Sequence, residues 1–373
     1  MEATTAAPET NLREYSSPPA TGHPLSTNSS TMAELVTIAA EQHGTETALK
    51  FHADDVWHEV SYAELGATVK SIAKGLIANG VEAGDFVSIL SNTRAEWSYA
   101  DFGSLATGAV VAPIYPTNSA EECEYVLNHA ESKVLFVENG AQLEKIGAIR
   151  ANTPALKIVV VIDPDVDDLG DAITLEELKS QGQTVSDADY EARIAAIKPE
   201  DLCTIVYTSG TTGPPKGCMI THENFRNTTT MGAATIANVD DENGETVYLF
   251  LPLAHVFARL TQFVVLDMGG TVAFWRGDPA LIVPDLIEVK PDALPSVPRI
   301  FEKIYALANT VAGSKSPEEQ EFFHKAIEVG CRYARCRTKA PMCPPTCRRS
   351  STAPTRRSTT TSVSSSAAIS SAP

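Results

Sequence analysis

The sequence predicts an α/β protein in which stacked, mostly parallel sheets are covered by flanking helices. Three observations carry this. From about residue 32 to residue 330, short runs rich in Val, Ile, Leu and Phe alternate with stretches of helical periodicity. That is the texture of buried parallel strands joined by crossover helices. Ser with Glu three residues later opens two of the helical stretches, at Ser61–Glu64 and Ser119–Glu122, a reciprocal cap for the first free N–H groups. A third strand-like run leads straight into a loop of Gly, Thr and Ser over residues 207–217.

The elements follow in order. Leu65, Val69, Ile72 and Leu76 repeat at helical spacing after Ser61, and Asn79-Gly80 stops that helix. Phe86–Leu90 reads as a strand, Ala95–Leu105 as a helix and Val110–Ile114 as a strand. Ser119 opens the next helix, and Lys133–Glu138 and Lys157–Ile162 are strands. Thr204–Thr208 is the strand that enters the loop. Beyond it come a helix over Thr221–Ala234, a strand over Val247–Leu251 and a helix over Ala258–Met268. Thr271–Trp275 is a strand, Pro279–Val289 helical and Ala293–Val297 extended.

Both ends of the chain differ from this body. Residues 1–31 are rich in Ser, Thr, Pro and Ala and have no apolar h-region, so a disordered leader is expected rather than a signal peptide. Residues 331–373 contain no Asp or Glu and carry +8, against −18 for the whole chain, so the first 330 residues carry −26. This basic Ser/Thr/Arg/Pro-rich tail is expected to be disordered. The change of composition falls inside a helical pattern, Glu318–Gly330, rather than in a linker, and an out-of-frame C-terminus would explain it. An acidic body repels phosphate backbones, which argues against nucleic acid as a partner. No apolar run reaches the roughly 18 residues of a membrane span. The seven cysteines include Cys331, Cys336, Cys343 and Cys347, a spacing too loose for the close pairs of usual zinc sites. Cytoplasmic location is the expectation.

The loop carries the chemistry. Gly210, Gly213 and Gly217 let backbone approach a ligand closely. Thr208, Ser209, Thr211 and Thr212 offer hydroxyl donors, and Lys216 a positive charge. Successive N–H groups in such a turn form an anion nest. Everything suits a polyphosphate. A Walker-type loop needs Gly before the Lys and Ser or Thr after it; here Pro215 precedes Lys216 and Gly217 follows, so that reading fails.

The segment Tyr207–Gly217 closely resembles the signature loop of the adenylate-forming superfamily, which includes acyl-CoA synthetases, luciferases and peptide-synthetase adenylation domains. Leu251–Phe257 is similar to that family's next motif, whose His lies near the nucleotide and acyl pocket. A lone histidine at position 255 is otherwise as readily a structural one. Val297–Tyr305 resembles a segment of long-chain fatty acyl-CoA synthetases, though it also reads as a plain amphipathic helix after Pro298. Ser91–Trp97 and Ala112–Thr117 look like the first half of the family's large domain.

The resemblance implies the large N-terminal domain of the adenylate-forming fold over 32–330. It also implies ATP, Mg2+ and coenzyme A as cofactors. Thr208, Ser209, Gly210, Thr211, Thr212, Gly213 and Lys216 would hold phosphate, and His255 would act at the reacting centre. The implied partners are a fatty acid and CoA, with peripheral membrane contact compatible. The family's Tyr-Gly-x-Thr-Glu and Thr-Gly-Asp motifs, expected after residue 330, are absent, as are the hinge and the small C-terminal lid with its Lys. The missing Glu would help hold Mg2+, so no metal ligand is assigned. An inactive fragment of a fatty-acid–CoA ligase is therefore the expectation. A non-catalytic nucleotide- or partner-binding derivative, or a ligase for another carboxylic acid, is the alternative.

Overall fold

Local capping fixes where the elements begin. The Ser61 hydroxyl accepts the Glu64 N–H at 3.2 Å while the Glu64 carboxylate accepts the Ser61 N–H at 2.8 Å, so the expected reciprocal cap is formed. Ser119 and Glu122 cap the same way, and so do Thr174 and Glu177. The computed structural model describes residues 26–166, 168–208, 214–236 and 245–338. They fall into two compact units, Met1–Ser296 and Val297–Pro373.

In chain order the first unit opens with α1 (Leu35–His43), β1 (Thr47–Ala53), β2 (Val56–Ser61) and α2 (Tyr62–Ala78). Then come β3 (Phe86–Leu90), α3 (Ala95–Leu105), β4 (Val110–Ile114), α4 (Ala120–His129), β5 (Val134–Val137) and α5 (Gly140–Gly147). Next are β6 (Ile158–Val161), β7 (Ile173–Thr174), α6 (Leu175–Gln181), α7 (Asp187–Ala195), β8 (Leu202–Thr208) and β9 (Lys216–Thr221). The unit ends with α8 (His222–Ile236), β10 (Thr246–Leu249), α9 (Val256–Asp267), β11 (Thr271–Phe274) and α10 (Ile282–Val289). The second unit has α11 (Pro298–Gly313) and α12 (Pro317–Thr338). Ala293, expected in an extended run, makes only an isolated parallel bridge to Val247.

Two sheets result. One has the order β10-β11-β1-β2, the other β7-β6-β5-β3-β4-β8-β9. All pairings are parallel except β1 with β2 and β8 with β9. The mostly parallel, helix-covered architecture is thus as the alternation predicts. The hairpin β1–β2 has no counterpart in the sequence expectations: its two-residue turn is Asp54-Asp55, both at positive φ, in place of the more recognisable Asn-Gly. The apolar face of α2 is buried as its spacing requires, with Leu65, Val69, Ile72 and Leu76 at most 1% exposed. Gly103 of α3 lets α2 approach: a Cβ there would come within 2.6 Å of Ile72 Cγ2.

The helices between the sheets share a polar core. Arg259 of α9 and Asp101 of α3 are fully buried and paired, Arg259 Nε donating to the carboxylate at 2.8 Å. The guanidinium also lies 5.4–5.9 Å from the ring centres of Phe263, Phe225 and Trp97. A second buried pair joins Arg226 of α8 to Asp267 at the end of α9.

That second pair corrects the N-terminal boundary. Residues 26–31 belong to the expected leader, yet Ser26, Thr27, Ser29 and Thr31 are buried. Ser26 and Thr27 donate hydroxyls to the Asp267 carboxylate, and Arg226 donates to the Ser26 and Ser29 hydroxyls. Burial pushes the Asp267 carboxyl up, but Arg226 and these hydroxyls outweigh it and hold the group below its ordinary range. Short polar side chains, unremarkable as sequence, are what a buried ion pair needs to satisfy its remaining lone pairs. Residues 1–25 lie outside the described residues.

At the other end α12 runs through Gly330 to Thr338. Residues 331–338, expected as the start of the disordered tail, therefore continue the helix. Residues 331–338 hold no Pro or Gly and three Arg, which a helix tolerates well. Residues 339–373, with Cys343 and Cys347, lie outside the described residues.

Two stability predictions follow from the core. Asp101→Ala leaves Arg259 charged and buried and is expected to cost about 3–5 kcal/mol, read from the urea midpoint at unchanged slope. His222 is fully buried, and burial pushes its imidazole down to about 4 from the ordinary 6.5. The unfolded chain takes the proton more readily, so this contribution is whole above about pH 6.5 and lost as pH falls toward 4. His222→Gln is expected to flatten the stability profile across that window; an unchanged slope there would refute the assignment.

Candidate functional site

Strands β8 and β9 form an antiparallel hairpin whose register sets Tyr207 opposite Gly217 and Thr208 opposite Lys216. Thr208 and Lys216, two of the expected phosphate contacts, are thereby neighbours at its loop end, both exposed. Ser209, Gly210, Thr211, Thr212 and Gly213 lie outside the described residues. A strand, not a helix, follows the loop: β9 intervenes before α8 starts at His222. Gly217 has a packing reason, since a Cβ there would meet Ile205 Cδ1 at 2.5 Å.

Helix α4 braces this hairpin from the side. The Tyr125 hydroxyl donates to the Pro215 carbonyl at 2.8 Å. His129 Nδ1 and the Tyr207 hydroxyl are hydrogen-bonded at 2.8 Å. The three rings meet, Tyr125 stacked on His129 at 5.6 Å and His129 edge-on to Tyr207 at 5.5 Å. Burial pushes the Tyr207 phenol up to about 12, with Tyr125 adding to it. Nothing in the sequence expectations pointed to α4. The available signal was the pair of aromatic residues four apart, on the side of the helix away from buried Cys123, Val126 and Leu127.

The hairpin lies one strand away from the sheet's switch point, with β4 between them. Strand order reverses around β3, which has β4 on one side and β5 on the other. Ligands of parallel sheets bind in the crevice outside the carboxyl ends at such a point. Pro113 of β4 stands in the middle of this sheet. Proline has no N–H for the ladder, and β4 pairs with β8 only at Val111 and Thr204, reinforced by the Thr204 hydroxyl on the Val111 carbonyl.

Residues after the neighbouring strand β3 reach the other sheet. The Thr93 hydroxyl donates to the Leu251 carbonyl at 2.7 Å and accepts the Leu253 N–H at 3.0 Å. Asn92 donates from its backbone and side chain to Glu138 at the end of β5, at 2.7 and 2.8 Å. The segments 91–97 and 251–257, singled out separately in the sequence, are thus stitched together. His255 caps α9: its Nδ1 accepts the Phe257 N–H at 3.2 Å. The neutral ring therefore carries its proton on Nε2, a donor on an exposed residue.

Such a donor set, with hydroxyls and an ammonium at the end of a parallel strand, fits the phosphates of ATP. Among the described residues no group of three His, Cys, Asp or Glu side chains could hold a metal ion. Also among the described residues, no helix is long and apolar enough to cross a membrane.

Comparison with known proteins shows the family and the fold. The profile of the AMP-binding enzyme family matches residues 36–361, a range that reaches past Gly330. The long-chain-fatty-acid–CoA ligase FadD15 of Mycobacterium bovis is 40% identical over 261 residues, 70% of this chain and 42% of that protein. The long-chain-fatty-acid–CoA ligase ACSBG2 of Xenopus laevis is 32% identical over 305 residues, 80% of this chain and 41% of that protein. The chain thus spans about two-fifths of the length of these relatives. Among solved structures, the N-terminal domain of FACL13 from Mycobacterium tuberculosis superposes with a TM-score of 0.61 at 25% identity, covering 74% of this chain and 64% of that one. The adenylation domain of a carboxylate reductase from Mycobacterium chelonae gives 0.68 at 22% identity, covering 80% and 51%, and supports the fold. The match over most of its length and the strand-end hairpin that fits it make this chain a member of the AMP-binding, adenylate-forming enzyme family.

Proposed function

We propose that the β8–β9 hairpin holds the β- and γ-phosphates of ATP for the activation of a fatty acid carboxylate. Thr208 and Lys216, with the loop residues Ser209–Gly213 between them, would supply the contacts. A carboxylate oxygen attacks the α-phosphorus, the bond to pyrophosphate breaks, and an acyl-adenylate forms. The thiol of coenzyme A then displaces AMP. The lysine and hydroxyls stabilise charge gathering on the leaving pyrophosphate, which is how positioned donors lower such barriers. His255 stands on the segment that Thr93 ties to the end of β3, close to where an acyl group would lie under this reading.

The single observation that carries the proposal is the register pairing Thr208 with Lys216 at the end of β8. The long-chain acid rests on the relatives, whose names specify that substrate. Adenine and ribose contacts of the kind implied by the resemblance are not recognisable among this chain's residues, so ATP binding without ligase turnover is the expectation.

Isothermal titration of the chain with ATP and with pyrophosphate tests it. Both ligands should bind and compete. Lys216→Ala should weaken both by about ten- to a hundredfold, the loss of a hydrogen bond to a charged group. Equal affinity of parent and variant would overturn the phosphate reading. A second assay, pyrophosphate release with a panel of fatty acids and CoA, should stay at background; robust acyl-CoA formation would refute the expected inactivity.

A further inference from the structure

We propose that Tyr125 and His129 of α4 are positioning residues that fix the separation and direction of the two stalks of the β8–β9 hairpin. One residue holds each stalk. Tyr125 donates to the Pro215 carbonyl, directly before β9, and His129 bonds the Tyr207 hydroxyl, near the end of β8. The two lie one helical turn apart on α4, so a single rigid element grips both sides. Their own rings stack at 5.6 Å, and Tyr207 closes edge-on against both. Thr208 and Lys216 come directly after the two gripped residues, so any slack in the stalks reaches them first.

The brace matters because the two stalks are held unevenly. β8 is anchored by buried Cys203, Thr204, Ile205 and Val206 and by the Thr204 hydroxyl on β4. β9 is the edge of the sheet, with Cys218 and Met219 exposed, so the grip of α4 on Pro215 acts where the hairpin is least supported. Helix α4 is itself fixed by its cap at Ser119 and by buried Cys123, Val126 and Leu127, so the brace has a firm base.

Thr208 and Lys216 serve as phosphate contacts only under the nucleotide reading above, so the test separates the two ideas. Tyr125→Phe keeps the ring and removes the hydroxyl. His129→Leu removes the acceptor, and His129→Asn places an amide oxygen near where Nδ1 stood. Amide hydrogen exchange on the full chain, without nucleotide, is measured for residues 203–208 and 216–221, with β3 and β5 as internal controls for folding. Tyr125→Phe and His129→Leu should each speed exchange in the stalks by about three- to tenfold, the equivalent of one neutral hydrogen bond, with the controls unchanged. His129→Asn should restore slow exchange. ATP affinity should fall by a similar factor in the first two variants and recover in the third. Unchanged exchange in both disrupting variants overturns the brace, as does faster exchange in the controls to the same extent. Faster stalk exchange with unchanged ATP affinity overturns the positioning role. If the parent chain binds no ATP, the nucleotide reading fails, and the exchange rates still decide whether α4 holds the stalks.

Discussion

Arg259 and Asp101 both leave water when α9 packs on α3, and their pairing offsets the cost of burying two charges only in part: burial outweighs Arg259 and pushes the Asp101 carboxyl up. The pair joins the two halves of the first unit. Helix α9 connects β10 to β11 in the four-stranded sheet, and α3 connects β3 to β4 in the seven-stranded one. Ser98 donates to Gln262 one turn away along the same contact. The start of each helix carries a segment of the candidate site: Thr93 lies just before α3, and His255 caps α9. Holding the helices together therefore also sets the distance between those segments. Misplacing the joint would slide His255 away from the strand ends even with every local element intact.

The seven-stranded sheet holds the hairpin by a different means. Its parallel strands are laddered at β3 with β4 and β5, and β8 continues the sheet beyond β4. Pro113 of β4 has no N–H to give, and the Thr204 hydroxyl adds a bond from β8 to the Val111 carbonyl. The Thr93 hydroxyl plays a similar part between the sheets, bonding the Leu251 carbonyl and the Leu253 N–H, so that these backbone groups are satisfied away from any ladder.

Much of this was legible in the sequence, for reasons that are local. The strands β3 and β4 and the helix α3 have the bounds their sequence predicts, because a buried parallel strand is an apolar run set off from the helix that crosses over it. Thr174 and Glu177 carried the same capping signal, but the short α6 behind them has too little periodicity to draw attention. The loop could be recognised because its glycines and hydroxyls are adjacent in the chain. What stayed hidden were contacts between distant segments. Thr93 on Leu251, Tyr125 on Pro215 and Ser26 on Asp267 join residues 90 to 241 positions apart, and no local pattern announces such a partner. β9 was hidden for another reason: its exposed edge-strand residues, Cys218 and Met219, do not form the alternating pattern of a half-buried strand.

The interposed strand β9 changes the electrostatics of the site. Phosphate loops that run directly into a helix receive about half a unit of positive charge from the helix N-terminus, an influence that fades within one turn. Here five residues of extended chain lie between Lys216 and His222, the first residue of α8, and the six steps span roughly 20 Å at about 3.3 Å per residue. Under the phosphate reading the helix dipole is out of range, and among the described hairpin residues attraction falls to the Lys216 ammonium and the Thr208 hydroxyl. A site built this way owes its anion affinity chiefly to a single exposed point charge. Such a charge is screened by ordinary salt over a Debye length of about 8 Å, so the grip on polyphosphate should weaken with ionic strength more steeply than in a helix-capped loop.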